Sequence, residues 1–182
     1  EDVYVDYRRP SAVSFVRSLE EDLKRRDFTV NAMAADLLGD VEILIDPMKG
    51  EYDLNQKVLR RCTPHSIVDD PIRVLRAIRQ SVELKLKIHP DTLIDIRQNA
   101  AGINDSSFER VRDEFYKILD SAHPSRAIRV LQHLGILKFV IANIDGLVGL
   151  EQSLPHRFDV WNHTLLVVER INTIMTAISY KR

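Results

Sequence analysis

Two short segments of this chain combine arginines with a carboxylate at spacings that suit a phosphorylated ligand. The first segment places Arg25, Arg26 and Asp27 immediately before an apolar stretch that begins at Phe28. Adjacent guanidiniums bind phosphate oxygens through charge-assisted hydrogen bonds, and a carboxylate accepts hydrogen bonds from hydroxyl groups. A surface cluster of ion pairs at a helix end explains the same residues, and such exposed pairs contribute little stability. Charge alone favours this second interpretation.

The second segment predicts a helix that carries a carboxylate beside a row of arginines. Asp70 and Pro71 are typical of a helix start. The residues that follow divide into an apolar stripe and a neighbouring basic ridge. The stripe is Ile72, Leu75, Ile78 and Val82, and the ridge is Arg73, Arg76 and Arg79. Asp70 and Arg73 are three residues apart, so their side chains are predicted to be neighbours.

A capping aspartate with a local ion pair is the plainer interpretation of Asp70 and Arg73. The same geometry also suits base recognition, because a carboxylate accepts from an exocyclic amine and a guanidinium donates to ring acceptors. Cytosine and adenine each present an amine donor beside an acceptor, whereas guanine and uracil present the wrong pattern. The pair can therefore select C or A without a nucleic-acid template, and Arg76 and Arg79 can hold a triphosphate.

Both segments resemble motifs of one protein family. Residues 19–34, LEEDLKRRDFTVNAMA, are similar to the Arg-Arg-Asp and Phe-Thr-x-Asn-Ala motif of class II tRNA nucleotidyltransferases (CCA-adding enzymes) and bacterial poly(A) polymerases. Residues 68–82, VDDPIRVLRAIRQSV, resemble the Glu-Asp-x-x-Arg motif, which serves that family as a protein template for the incoming base. The resemblance implies that the nucleotide-binding residues are Arg26, Asp27, Asp70, Arg73, Arg76 and Arg79.

The second match departs from the family pattern at two places. Asp69 stands where the family usually has Glu, and Gln80-Ser81-Val82 replaces Phe-Ala-Ala. The first change leaves the base-reading pair intact, and the second lies on the packing side of the helix.

The metal-binding motif of the family is not in this sequence. Nucleotidyl transfer uses divalent metal to align the attacking 3′-hydroxyl and to neutralise the triphosphate. The family holds it with an Asp-x-Asp pair after a Gly-Gly-x-x-Arg-Asp turn, and the sequence contains neither. We therefore expect no catalytic and no metal-ligating residue here, and Mg²⁺ bound by carboxylates outside this chain. The chain is expected to be a fragment that is inactive alone.

Two further segments resemble parts of the same family. Residues 106–119, SSFERVRDEFYKIL, are similar to an element of its neck and RNA-binding region, which implies that Arg110 and Arg112 contact RNA; a solvated charged face is the alternative. Residues 156–169, HRFDVWNHTLLVVE, are similar to the opening of an HD-type phosphohydrolase domain, with Asp159 as helix cap and His163 as the candidate first metal ligand. The later His-Asp pair of that domain is absent from the sequence. A helix whose histidines cap or pack is the alternative.

Composition sets broad limits on the class of protein. The 182 residues include 26 basic and 27 acidic side chains, which argues against a nonspecific polycation. A single cysteine, Cys62, excludes an intrachain disulfide and fits a reducing compartment. No apolar run is long enough for a membrane span and no signal-peptide pattern is present, so we expect a cytoplasmic protein without membrane contact.

The pattern along the chain predicts an α+β fold. Residues 1–62 are expected to form the rear of a mixed α/β nucleotidyltransferase head. Strand character is predicted at 3–5 and 14–16, a short helix at 20–25, and two strands at 29–38 and 41–45 joined through Gly39-Asp40. Residues 63–150 are expected to form an all-helical neck and body that binds nucleotide and RNA. Its later helices are predicted at 90–101, ended by Gly102, at 108–119, with Ser106 and Glu109 as a capping box, and from Pro124 to near Gly135. Residues 151–182 are expected to begin an HD-like helical domain.

The sequence supports three functional hypotheses. The first is a fragment of a template-independent nucleotidyltransferase that adds CMP or AMP from CTP or ATP to RNA 3′ ends, tRNA above all. Complete CCA addition, partial addition and poly(A) synthesis are not distinguished. The second is a non-catalytic RNA- or nucleotide-binding module on the same scaffold. The third, a phosphohydrolase, rests on one HD-like helix. The oligomeric state is not indicated by the sequence.

Overall fold

The computed structural model describes residues 2–4, 10–13, 18–36, 43–153 and 155–179. The helices in these ranges are α1 (Leu19–Lys24), α2 (Gly50–Asn55), α3 (Ser66–Asp69), α4 (Ile72–Glu83), α5 (Pro90–Asn99), α6 (Phe108–Leu119), α7 (Pro124–His133) and α8 (Val160–Ser179). The strands are β1 (Asp2–Tyr4), β2 (Pro10–Val13), β3 (Ala34–Asp36), β4 (Ile43–Ile45), β5 (Val58–Leu59) and β6 (Lys87–Ile88). The predicted α+β class is confirmed.

The strands form three small pairs. β1 pairs with β2 and β3 with β4 in antiparallel fashion, whereas β5 and β6 run parallel. The two-residue β6 is an exception to the prediction that the chain is entirely helical after residue 63. The predicted strand at 14–16 and the turn at Gly39-Asp40 lie outside the described residues.

The predicted strand from Thr29 to Leu38 is wrong in its first part. Thr29–Asn31 form a 3-10 turn, and β3 begins only at Ala34. The Thr29 N–H donates to the Arg60 carbonyl at 2.9 Å, and the Thr29 hydroxyl donates to the buried Asp53 carboxylate at 2.8 Å. These bonds fix a tight turn where β-propensity alone indicated extended chain.

Helix limits agree with the sequence except at two local signals. α6 and α7 begin and end close to the predicted residues. Ser107 rather than Ser106 caps α6, since its hydroxyl accepts from the Arg110 N–H at 3.4 Å. Gly102 was expected to end α5, but it lies inside a 3-10 turn, Ala100–Asp105, and faces the Pro71 ring.

α4 is the centre of the helical part and packs against α6 and α7. Its apolar stripe is buried as the spacing predicts, with Leu75 and Ile78 fully covered. The same continuous core includes Phe28 and Leu59, so it crosses the predicted boundary at residues 62 and 63. That domain boundary stays a prediction.

Among the side chains of α8 that the structure describes, the buried ones lie in its first half. Trp161 and Leu165 are buried, whereas Ile171 and Ile174 are more than half exposed. The Ser125 hydroxyl at the start of α7 donates to Glu169 at 2.5 Å, so the residues of α8 after Glu169 extend beyond the first turn of α7. No helix within the described ranges has the length and apolarity needed to cross a membrane.

The Asp27 carboxylate ties the turn after α1 to α4. It is 5% exposed and accepts from the Phe28 N–H at 2.8 Å and from the Asn31 amide at 3.0 Å. Its other oxygen lies 2.7 Å from the Arg76 guanidinium. A second link joins the Asn31 amide to Gln80 at 2.9 Å. Burial would raise the pKa of Asp27, but the Asn31 hydrogen bond and the Arg76 charge outweigh burial and lower it.

Gly50 allows α2 to approach the same turn. A Cβ at this position would lie 2.1 Å from the Thr29 carbonyl oxygen, so no larger residue fits without moving the backbone. The Gly50 N–H also donates to Asp46 at 2.7 Å, which fixes the start of α2. The turn that carries Asp27 is thus held from one side by α2 and from the other by α4.

We expect Gly50→Ala to lower the free energy of unfolding by about 1–3 kcal/mol, because the added methyl group must displace backbone. Gly146→Ala is the matched control, since a Cβ there would meet nothing within 4 Å. Urea unfolding of both variants measures the difference. Equal stability of the two variants would contradict the close contact between α2 and the Thr29 turn.

The ion pair of Asp27 predicts a specific loss of stability in acid. A carboxyl whose pKa is lowered by folding stabilises the protein above its ordinary value of 3.8, and this contribution disappears as pH falls through the lowered pKa. We expect Asp27→Asn to be less stable than wild type at pH 7 and to lose less stability below pH 3.8. Asp113→Asn, which removes a carboxylate paired on the surface with Arg112, should change stability at pH 7 very little. Parallel wild-type and Asp27→Asn curves in pH-dependent urea unfolding would disprove the role of Asp27.

Candidate functional site

A polar cavity of about 460 Å³ opens where the turn after α1 meets α4 and α6. Its lining residues are Arg26, Asp27, Asn31, Asp70, Ile72, Arg73, Arg76, Arg110, Asp113, Glu114 and Lys117. The cavity therefore brings together five of the six residues predicted to bind nucleotide, from two segments more than forty positions apart in sequence. Five cations and four carboxylates face one space, a composition suited to an anionic ligand that also offers hydrogen-bond donors.

Arg26 lies at the edge of the cavity, about half exposed. Its guanidinium donates to the Asn31 carbonyl at 3.1 Å and to Asp22 at 3.2 Å. Arg25 binds the same Asp22 carboxylate at 2.6 Å and is not among the lining residues. Of the two adjacent arginines, only Arg26 is thus presented to a ligand in this cavity.

Three groups contact the Asp70 carboxylate at the N-terminal start of α4. One carboxylate oxygen accepts from the Ile72 N–H at 3.3 Å, which confirms its role at the start of the helix. The other oxygen lies 2.7 Å from the Arg110 guanidinium of α6 and 3.9 Å from Arg73 Nε. The stronger partner of Asp70 is therefore Arg110, forty residues away, and not the neighbour Arg73.

Arg73 is fixed against the backbone of the first segment. Its two terminal nitrogens donate to the carbonyl oxygens of Ser66 at 3.0 Å, Arg25 at 3.0 Å and Arg26 at 3.4 Å. These contacts use three of the five guanidinium N–H groups. Asp70 and Arg73 are consequently side by side on one wall, as the helical spacing predicts.

Arg76 and Arg79 differ in their surroundings although both belong to the predicted ridge. Arg76 lines the cavity and pairs with Asp27. Arg79 lies outside the cavity lining and bonds Glu114 at 2.7 Å and Glu83 at 2.8 Å. Burial would lower the pKa of Arg79, but its hydrogen bonds and charges to these two glutamates raise it. The structure places Arg79 as a link between α4 and α6.

The two predicted RNA contacts also diverge. Arg110 points into the cavity and binds Asp70, whereas Arg112 lies on another face of α6 and pairs with Asp113 at 2.7 Å. Sequence reasoning missed Asn31 and, on α6, Asp113, Glu114 and Lys117, which complete the cavity wall. The signal was present, because charged residues at positions 110, 113, 114 and 117 recur at helical spacing on one face.

The cavity does not fit a metal ion held by the protein. Each of its carboxylates faces a cation: Asp27 faces Arg76, Asp70 faces Arg110, Asp113 faces Arg112, and Glu114 faces Arg79 and Lys117. Across the described ranges, no cluster of three or more His, Cys, Asp or Glu side chains is arranged to hold a metal. His163 meets only one other imidazole, that of His156, edge to face with 5.5 Å between ring centroids.

Comparison with known proteins assigns both parts of the chain. Residues 1–60 match the family model described as the Poly A polymerase head domain. Residues 85–146 match the model described as the probable RNA and SrmB-binding site of polymerase A. The second match contains α6 and therefore one wall of the cavity.

Individual relatives agree with these two matches. A CCA-adding enzyme of Streptococcus pyogenes is 46% identical over 168 residues, which cover 90% of this chain and 41% of that enzyme. A solved CCA-adding enzyme, apo form II, superimposes with a TM-score of 0.71 and 33% identity, over 76% of this chain and 33% of that chain. A CCA-adding enzyme in complex with CTP gives a TM-score of 0.64 and 36% identity, over 66% of this chain and 30% of that chain.

The chain spans about 40% of the length of the curated relatives that it matches. Two family models in the expected order, the identity to CCA-adding enzymes and the shared fold agree with the motifs at Arg25–Asp27 and Asp70–Arg73. The chain therefore belongs to the family of CCA-adding enzymes and poly(A) polymerases.

Proposed function

We propose that the cavity between the Asp27 turn, α4 and α6 binds CTP and ATP and reads the base with Asp70 and Arg73. The protein to which this chain belongs then transfers CMP or AMP to the 3′ end of RNA, tRNA in particular. The single observation that carries the proposal is the cavity wall on which Asp70 and Arg73 lie side by side, in the same cavity as Arg26 and Arg76. A CTP complex of a relative with the same fold supports it.

Base selection follows from the hydrogen-bonding character of the two side chains. An ionised Asp70 can only accept, and Arg73 can only donate. The exocyclic amine of cytosine or adenine would donate to Asp70, while the adjacent ring nitrogen would accept from an N–H group of Arg73 that the backbone carbonyls do not use. Guanine and uracil would place a carbonyl against the carboxylate and an N–H against the guanidinium. Both contacts would then be repulsive.

Arg110 is proposed to act on base selection through Asp70. Its charge-assisted bond at 2.7 Å orients the carboxylate toward the position that the base amine would take. We therefore assign Arg110 to the nucleotide site as a positioning residue and leave Arg112 as the candidate for RNA contact. Arg26, Arg76 and Lys117 would supply the positive charge for the triphosphate, and Arg79 would act by fixing Glu114.

The transfer itself is a displacement at phosphorus. The 3′-hydroxyl oxygen of the RNA forms a bond to the α-phosphorus of the nucleotide. The bond from the α-phosphorus to the oxygen that bridges the α- and β-phosphates breaks, and pyrophosphate leaves. The hydroxyl proton passes to solvent. Magnesium would align these groups, but the described residues offer it no ligand set. That carboxylates outside this chain hold Mg²⁺ stays a prediction.

A non-catalytic nucleotide- or RNA-binding module is the second candidate function. The absence of a metal-ligand set among the described residues favours it for this chain taken alone. Incubation of the longer protein with tRNA lacking its terminal nucleotides, CTP and ATP distinguishes the two functions. Incorporation of CMP or AMP indicates the enzyme, and retained binding without incorporation indicates the module.

Calorimetric titration of this chain with CTP, ATP, UTP and GTP tests the base-reading site. We expect CTP and ATP to bind more tightly than UTP and GTP by roughly 5- to 150-fold, the range expected for one good base-reading pair. Asp70→Asn and Arg73→Gln should remove most of this preference, because each replaces half of the donor and acceptor pattern. Asp69→Asn is the matched control, since Asp69 is exposed and outside the cavity.

Variants of α6 separate the orientation of Asp70 by Arg110 from the effect of any positive charge on this helix. Arg110→Gln should reduce the preference, Arg110→Lys should restore part of it, and Arg112→Gln should leave it unchanged. No binding of any nucleotide, or equal affinity for all four, would overturn the proposal that this cavity reads a base.

A further inference from the structure

α6 presents a second surface that the nucleotide cavity does not use. Phe108, Arg112 and Tyr116 follow one another at intervals of four residues, so they form a ridge along one side of the helix. The rise of an α-helix places successive members about 6 Å apart. Arg110, two positions before Arg112, points to the other side and reaches Asp70. One helix therefore separates the nucleotide cavity from this Phe–Arg–Tyr ridge.

The aromatic side chains of the ridge are unusually open to solvent. Phe108 is 73% exposed and Tyr116 is 60% exposed. Their partner Arg112 is also open, with 42% of its side chain exposed. Large aromatic residues beside an arginine are the groups that most often supply binding energy at interfaces. Nothing in the described fold covers them.

A cavity of about 370 Å³ lies next to this ridge. Apolar side chains form most of its wall: Ile103, Val111, Phe115, Phe139 and Val140. Asn104 and Ser106 add polar groups, and the Ser106 hydroxyl is buried with no hydrogen-bond partner among the described residues. A buried hydroxyl without a partner is costly, so a ligand with a polar edge would bind here better than a purely apolar one.

The charges around this cavity complement an anionic backbone. Arg112 lines the cavity and pairs with Asp113 through one edge of its guanidinium. Lys138 lies 5.2 Å from the centre of the Phe139 ring, which forms part of the cavity wall. Two cations therefore flank an aromatic, largely apolar cavity whose polar groups are a hydroxyl and an amide.

We propose that this face of α6 binds unpaired nucleobases of an RNA strand. One base enters the cavity and reaches Ser106 and Asn104 with its polar edge, and a neighbouring base stacks on Phe108 or Tyr116. The phosphates between them face Arg112 and Lys138. Planar stacking groups, polar groups in the wall and flanking cations together favour a nucleobase over an apolar peptide.

This inference rests on the proposed function only in taking RNA as the partner. The ridge and its cavity lie within the part of the chain that matches the RNA-binding family model. The RNA bound on this face is single-stranded and not duplex RNA, which the family description does not specify. The base-reading pair in the other cavity is not involved.

Fluorescence anisotropy with a labelled oligoadenylate of about ten nucleotides tests the proposal. Phe108→Ala and Tyr116→Ala should each weaken binding by roughly 5- to 150-fold, the range expected for loss of one base-stacking contact. Tyr116→Phe should bind like wild type, because it keeps the stacking face. Tyr52→Ala is the matched control, since Tyr52 is 62% exposed on α2, away from α6.

An abasic oligomer of the same length separates stacking from backbone attraction. It should bind more weakly than oligoadenylate, and the two alanine variants should not weaken it further. Unchanged affinity of both variants for oligoadenylate would overturn the proposal, and a protein partner would then be the better candidate for this face. The proposal would also be overturned if the alanine variants lost as much affinity for the abasic oligomer as for oligoadenylate. Both alanine variants should leave the CTP titration unchanged, because Phe108 and Tyr116 do not line the nucleotide cavity, so failure of either site is recognised separately.

Discussion

The buried carboxylate of Asp27 is the constraint on which the rest of the site depends. An ionised group in a protein interior is tolerated only where hydrogen bonds and an opposite charge compensate for the lost water. Phe28 and Asn31 supply the hydrogen bonds from the local turn, and Arg76 supplies the charge from α4. The turn and the helix must therefore stay in contact. That contact brings Arg26 and Arg76 to the lining of one cavity.

The same principle organises the remaining charges. Arg79 is compensated by Glu114 and Glu83, and Asp70 is compensated by Arg110. The pairs of Arg79 with Glu114 and of Asp70 with Arg110 join α4 and its start to α6, and they hold the side chains in position before any ligand arrives. A preorganised set of donors and acceptors loses less entropy on binding and discriminates more sharply between bases. The cost is that a nucleotide must compete with existing partners, above all with Arg110 at Asp70.

Local sequence patterns predicted much of the fold and part of the site. The start of α4, its apolar stripe, the helix α6 and the cap at Asp159 all follow from nearest neighbours in the chain, and the structure contains them. The Asp70 and Arg73 pair followed in the same way. The family resemblance added the functional interpretation of these residues, which their spacing alone leaves open.

The contacts that local patterns missed join distant segments. Nothing near Thr29 in the sequence indicates that Arg60 and Asp53 hold it in a turn. Likewise, Arg110 was expected to contact RNA because its segment resembles the neck element of the family, and a solvated charged face was the alternative. Its bond to Asp70 depends on how α6 packs against α4, which no spacing within α6 encodes. Arg79 lies on α4 in line with Arg73 and Arg76, as its spacing predicts. Its guanidinium nevertheless bonds the carboxylates of Glu114 and Glu83.

A crystal structure of this chain with bound CTP is the most direct test of the central claim, that Asp70 and Arg73 read the base in the cavity that Asp27 assembles. We expect the cytosine amine to donate to Asp70 at a normal hydrogen-bond distance of about 2.7–3.2 Å. The ring nitrogen should accept from Arg73, and the pair of Asp27 and Arg76 should remain intact. A bound CTP whose base contacts neither Asp70 nor Arg73 would contradict the claim.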